Sequence, residues 1–182
     1  MPSSARDRVL NAAEARLLAL GPGGLVLDAV ASDAGVSKGG LLYHFANKEA
    51  LVAGLCDRML ERFDLELAAL REHEGGGPGA FVRAYLASTV TAEGKPADNS
   101  AQLMAGLLAV LGRDSGHLAA VRDRFAAWHQ ALLDDGLDDT TATLIRLAAD
   151  GLWLSALLGL PQLEGDLGPR TVRALQALAT VE

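Results

Sequence analysis

The chain has 182 residues, half of them hydrophobic and only 4% aromatic, with a formal net charge of −7 at neutral pH. That length and apolar content suffice for one or two domains with a substantial core, and a single cysteine, Cys56, excludes an internal disulfide framework. The aromatic-poor, Ala-, Leu- and Gly-rich composition favours closely packed helices over a β-sandwich, while the acidic total at first argues against nucleic acid as a partner.

Ser4 opens the first helix, with Asp7 three residues on as the acidic half of a capping box. Val9, Leu10, Ala13, Leu17 and Leu20 form its apolar stripe, and Gly21-Pro22-Gly23-Gly24 ends it. A short second helix spans roughly Asp28 to Asp33, with Ala29, Val30 and Ala34 facing inward. Gly35 is the residue type that closes a helix in a left-handed conformation, and Ser37 is an N-cap for a third helix of about two turns. Asn47 caps a fourth, with Glu49 in its first turn. Leu51, Leu55, Met59, Phe63, Leu67 and Leu70 carry that helix to about Glu72.

Glu74 to Gly79 is the strongest break in the chain and reads as a turn into a second domain. Phe81, Val82, Tyr85, Leu86 and Val90 stripe a fifth helix, which ends near Gly94-Lys95-Pro96. The sixth, about Ala101 to Gly112, is small or apolar almost throughout and is expected to be buried all round. Leu118, Val121, Phe125, Trp128 and Leu132 stripe a seventh, followed by an acidic turn at Asp134 to Asp139. The eighth helix, about Thr140 to Gly159, alternates leucines with small residues that let another backbone come close. Val172, Leu175, Leu178 and Ala179 stripe a ninth, within about 168–181. The reading is all-α, with about nine helices, divided into residues 1–50 and 51–182.

The N-terminus lacks the apolar segment of a secretory signal, and the apolar run Gly151 to Leu163 is too short to span a bilayer and contains Pro161. A soluble, cytoplasmic protein is expected, in keeping with the lone cysteine. Charge is segregated: residues 1–50 carry five cations and five anions, so residues 51–182 hold the whole excess of acid.

The most informative stretch is Gly35 to Leu51. Val36, Leu41 and Phe45 recur at spacings that face neighbouring helices, which leaves Lys38, Gly39, Gly40, Tyr43 and His44 to point outward. A cation, two residues permitting close approach and two hydrogen-bonding rings suit a DNA groove better than water. With the preceding short helix and Gly35 in the turn, the pair has helix-turn-helix form.

These residues resemble the recognition-helix signature of the tetracycline-repressor (TetR) family of bacterial transcription regulators. The similarity is dense from Ala34 to Leu55, looser from Ala5 to Leu27, and beyond that rests on helix order and length. It implies an N-terminal three-helix DNA-binding domain and a C-terminal helical domain for ligand binding and dimerisation. It further implies a repressor released from double-stranded, palindromic operator DNA by a small molecule.

DNA contact would fall to Ser37, Lys38, Gly39, Gly40, Leu42, Tyr43, His44 and Lys48, with Lys48 meeting a phosphate at the start of the fourth helix. The homodimer would form through helices at about 140–160 and 168–181, spacing two half-sites by about one helical turn or a little more. Two departures bear on operator affinity. Leu27 and Asp28 stand where relatives often carry Thr, Ser or Arg, and Asp28 would repel a nearby phosphate. Leu42 replaces a frequent tyrosine.

Polar and aromatic residues on the later helices make a sparse candidate ligand set: Tyr85, Gln102, Met104, Leu107, Trp128, His129 and Trp153, with His117 and Asp150 also in reach. For any one of them core packing is the plainer reading, and Cys56 reads as a small buried hydrophobe. Catalysis has little support: no His–Glu pair has zinc-binding spacing and no glycine loop follows a strand, so no metal or cofactor is expected. The rival to an operator-binding regulator is a helical ligand-binding or interaction module that keeps the fold without binding DNA; an enzyme is a distant third.

Overall fold

A computed structural model of the chain describes residues 4–111 and 116–180, without the side chain of His117; Gly112 and Val181, at the expected ends of two helices, lie outside them. The described residues form nine α-helices, one 3-10 turn at Pro22–Gly24 and a single isolated bridge between Val90 and Pro96. They divide into two compact units, one of Met1–Met59 with Gln102–Ala119 and one of Leu60–Ala101 with Ala120–Glu182. The first core takes in both the start of the fourth helix and part of the sixth.

In the first unit, α1 (Ala5–Leu20) begins with a full capping box: the Asp7 N–H donates to Ser4 Oγ at 3.1 Å, and the Ser4 N–H returns to the Asp7 carboxylate at 3.3 Å. It packs against α2 (Leu27–Asp33) and α3 (Lys38–His44), which also pack on each other. Between these two, Gly35 takes φ of +63°, a conformation a side chain would strain, and the Val36 N–H closes back on the Ala31 carbonyl at 3.0 Å.

The core joins Val9, Leu10, Ala13 and Leu17 to Leu25, Val30, Leu41 and Phe45. It is closed by Leu51, Val52, Leu55 and Cys56 from the start of α4 (Lys48–His73) and by Leu103 and Leu107 from α6 (Ser100–Leu111). Leu20 leaves the expected stripe and is 61% exposed, since α1 turns it outward in the last turn, and Leu25 takes a buried place instead. Arg58 of α4 clasps α1 by donating to the Leu10 carbonyl at 2.8 Å and Asn11 Oδ1 at 2.6 Å, and it pairs with Glu14.

α6 is not buried all round. Gln102 and Ala109 are exposed, because this short helix presents one face, Leu103, Met104 and Leu107, to the interior.

The second unit comprises the later part of α4, α5 (Ala80–Thr89), most of α7 (His117–Leu133), α8 (Asp139–Leu157) and α9 (Leu167–Leu178). α5 packs on α8, and α8 on α9. Gly79, before α5, has no side chain to cap it, so the Val82 N–H is taken by the buried carboxylate of Asp135 at 2.9 Å. One acid of the expected acidic turn is therefore an internal cap. Asp138 caps α8 by accepting from the Thr141 N–H at 2.9 Å.

Ala142, Ile145 and Ala149 of α8, Val172 and Leu175 of α9, and Ala179 just past its end are buried in the unit's interior. Leu178, expected in that stripe, is exposed, as are Leu144, Leu147 and Leu154 along α8 and Leu158 just past its end.

Candidate nucleic-acid interface

α3 has only seven residues, too few to be stable alone, and its placement depends on two anchors. Leu41 is fully buried, and Phe45, just past the helix end, sits in the core against Gly54. A methyl group at Gly54 would come within 2.7 Å of the Phe45 ring, so that glycine makes room for the anchor. At the other end the Gly40 N–H donates to Ser37 Oγ at 3.0 Å, so Ser37 serves as an N-cap.

With these residues turned inward, the remainder faces out. Tyr43 is 85% exposed and its ring meets His44 edge-on at 5.1 Å between centroids. Leu42 and Lys38 are exposed, Gly40 and His44 half-buried, and Gly39 has open space where a side chain would stand. Lys48, half-buried at the start of α4, reaches the Pro22 carbonyl at 3.5 Å, while Asn47 Oδ1 accepts from the Ala50 N–H at 2.8 Å. All eight residues singled out for DNA contact lie in one short run of the first unit, and none of them belongs to its buried core.

Asp28, expected as a like charge facing phosphate, has a cationic partner. Lys38 Nζ lies 2.9 Å from Asp28 Oδ1 and 3.1 Å from Oδ2. Ten residues separate them, and only the fold of the α2–α3 turn brings them together.

The residues considered for ligand binding are scattered. Gln102 is exposed in the first unit and donates to the Leu18 carbonyl at 3.1 Å; Met104 and Leu107 are buried in that same unit. Tyr85, Trp128, His129 and Trp153 belong to the second. There Tyr85, Phe63, Phe125 and Trp128 form an aromatic cluster with centroids 4.6–6.5 Å apart.

The Tyr85 hydroxyl donates to Asp150 Oδ1 at 2.6 Å, and Arg146 holds the other carboxylate oxygen at 2.9 Å. Burial pushes the Asp150 carboxyl above its ordinary value against the opposing pull of Tyr85 and Arg146. Burial, reinforced by Asp150, likewise raises the Tyr85 hydroxyl. Close by, His129 Nδ1 and Arg146 Nε are buried without a hydrogen-bond partner. The Trp153 indole donates to Ser100 Oγ at 2.8 Å.

A cavity of about 620 Å³ lies within this unit, lined by Asp64, Leu67, Arg71, Glu72, Phe81 and Trp128 among others. Trp128 is its one wall residue from the candidate ligand set, and its indole donates to Asp64 at 2.7 Å. The far part of α4 supplies most of the wall, and its mixed polar pattern had read as a connecting helix. In the first unit, burial pushes the Cys56 thiol up to about 11, so at neutral pH it is an inert core residue. Among the described residues no group of three His, Cys, Asp or Glu side chains could hold a metal, and no helix is long and apolar enough to cross a membrane.

Two family matches cover most of this structure. Residues 9–55 match the bacterial regulatory proteins of the tetR family, and residues 79–180 match the tetracyclin repressor-like C-terminal domain. The chain belongs to the TetR family. It is therefore one of a family of DNA-binding transcriptional regulators and not an enzyme.

Several solved structures are similar to this chain along nearly its whole length. A TetR-family member from Streptomyces coelicolor A3 is 26% identical with a TM-score of 0.65, covering 98% of this chain and 100% of its own. The multidrug binding protein EbrR, complexed with ethidium, is 27% identical with a TM-score of 0.63, covering 98% and 99%. A transcriptional regulator from Rhodococcus sp. Rha1, 24% identical with a TM-score of 0.69 and covering 97% and 94%, shares the fold. No curated protein matches the chain. The helix-turn-helix lies wholly inside the first TetR match, whereas the part of α4 that walls the cavity falls between the two matched segments.

Proposed function

We propose that this TetR-family chain is a homodimeric repressor that binds a palindromic operator and leaves it when a small molecule occupies the second unit. The observation that carries this reading is the presentation of α3. Leu41 and Phe45 anchor it, while Lys38, Gly39, Tyr43 and His44 are left outside the core on a short helix. That is the arrangement of a recognition helix in a major groove. Residues 1–50 would read DNA and residues 51–182 would sense ligand and pair, in a cytoplasmic protein.

Pairing is supported by the exposed leucines of α8 and its C-terminal end. Leu144, Leu147, Leu154 and Leu158 recur at helical spacing around exposed Gly151, and Leu178 of α9 is exposed as well. A second copy would cover such a stripe by isologous contact. Ligand binding is supported by the cavity with its Trp128 and Phe81 walls, and by the similarity to EbrR, which was crystallised with ethidium. α4 contributes to both units, so a ligand that prefers one placement of α4 would shift the spacing of the two recognition helices.

The test is an anisotropy titration against duplex DNA from upstream of the chain's own gene. Lys48→Ala is expected to weaken binding to all sequences and to reduce the salt slope by about 0.9, one phosphate's share; an unchanged slope removes Lys48 from the interface. The rival reading, a TetR fold without operator binding, draws on the carboxylate held against Lys38, and it predicts no saturable binding in the same titration.

A further inference from the structure

Every formal charge on α3 at neutral pH resides on Lys38, since the helix reads Lys-Gly-Gly-Leu-Leu-Tyr-His. That charge is cancelled on the spot. Both oxygens of Asp28 lie within 3.1 Å of Lys38 Nζ, and the two side chains are 62% and 66% exposed for Lys38 and Asp28. Two ion pairs among the described residues of the first unit are different in kind: Arg16–Asp33 and Arg58–Glu14 are more enclosed, and each arginine also donates to a backbone carbonyl, tying elements together. The Lys38–Asp28 pair ties no such carbonyl and lies open to water on the outward face of the helix-turn-helix.

We propose that Asp28 is an intramolecular stand-in for a DNA phosphate, occupying Lys38 until a backbone phosphate displaces it. The inference rests on the operator-binding reading above. Its chemistry is an exchange of like for like. A carboxylate offers two oxygens to the ammonium, as a phosphate does, and an exposed pair is held only weakly because water screens it. Docking therefore breaks one ion pair as it makes another, and it leaves a carboxylate a few ångströms from the arriving phosphate. Asp28 then acts as a positioning residue: it holds the Lys38 ammonium at the groove face and lowers affinity for every duplex by the same factor.

The experiment compares the full-length wild type with Asp28→Asn, Lys38→Gln and the double variant, by anisotropy at several salt concentrations. Two probes are used: the duplex from upstream of the chain's own gene and a mixed-sequence duplex of equal length. Asp28→Asn is expected to tighten binding to both probes about 5- to 50-fold at low salt, and to steepen the salt slope by up to about 0.9. In the Lys38→Gln background most of that gain should vanish. Asp28→Ser, also suited to a helix's first turn, repeats the measurement should the asparagine variant fold poorly.

An equal gain with Lys38 absent shows Asp28 to be a plain repulsive charge and overturns the proposal. Weaker binding of Asp28→Asn to the upstream duplex alone makes Asp28 a base-reading residue and also overturns it. Wild-type binding with no response to Asp28 removes this inference and leaves the operator reading standing. Absence of binding by all variants removes both.

Discussion

The two compact units solve opposite problems with the same kind of helix. The first closes its own core with aliphatic side chains from α1 to α4 and α6 and turns outward a polar, glycine-bearing helix. The second gathers an aromatic cluster, a Tyr85–Asp150–Arg146 network and an open cavity, yet leaves a row of leucines in water. A surface that reads a polyanion must be wet and must tolerate close approach. The pairing with a second copy proposed for the other surface calls for apolar residues, because desolvation drives such contacts. The contrast teaches that a unit's partner is best read from what it declines to bury.

The sharpest way to break this contrast is to charge the leucine row. Leu147→Glu with Leu154→Glu is expected to convert a dimer to monomers in sedimentation velocity and to weaken binding to a duplex with two half-sites by about 100-fold, through loss of the second recognition helix. A persisting dimer at micromolar concentration would move the pairing surface off α8.

The interior of the second unit offers a middle-sized effect. Because burial raises the Asp150 carboxyl, the folded state binds more protons than the unfolded chain just above the ordinary value near 3.8. The stability Asp150 contributes is then greatest at the acid end and falls as pH climbs through its raised folded value. Asp150→Asn should flatten that descent in melting temperatures recorded between about pH 4 and 7. A descent of equal slope in the variant assigns it to another group.

The smallest effect belongs to the first unit and separates its stability from its task. A methyl group on Gly39 meets nothing within 4 Å, so Gly39→Ala should stabilise the chain by roughly 0.5–1 kcal/mol through helix propensity. The same variant should bind DNA less tightly if the glycine exists for close approach. Gains in both stability and affinity would show Gly39 to be a dispensable gap.

Much of the fold was legible because its signals are local. Ser4 with Asp7, Gly35, Ser37 and Asn47 mark helix ends through bonds to residues at most five positions away, and the leucine stripes repeat within single helices. For the same reason Lys38, Gly39 and Tyr43 could be named as outward from spacing, whereas Gly40 and His44 are half-buried and Leu42 is exposed. Gln102 and Leu107 could not be assigned in this way. Both stand on one apolar helix, and whether such a helix lines a cavity or completes another core depends on which elements it meets.

What this sequence determined by itself is therefore the order of its helices and most of their ends, since capping and periodicity are properties of neighbours in the chain, though α5 stops at Thr89, short of the expected end near Gly94. The tertiary structure alone decided that Asp28 grips Lys38, that Asp135 turns inward to cap α5, and that the later part of α4 walls a cavity. Those are encounters between residues 10 to 64 positions apart, as in Lys38 with Asp28 and Trp128 with Asp64. Their partners are selected by how packed helices bring side chains together, which no local pattern encodes.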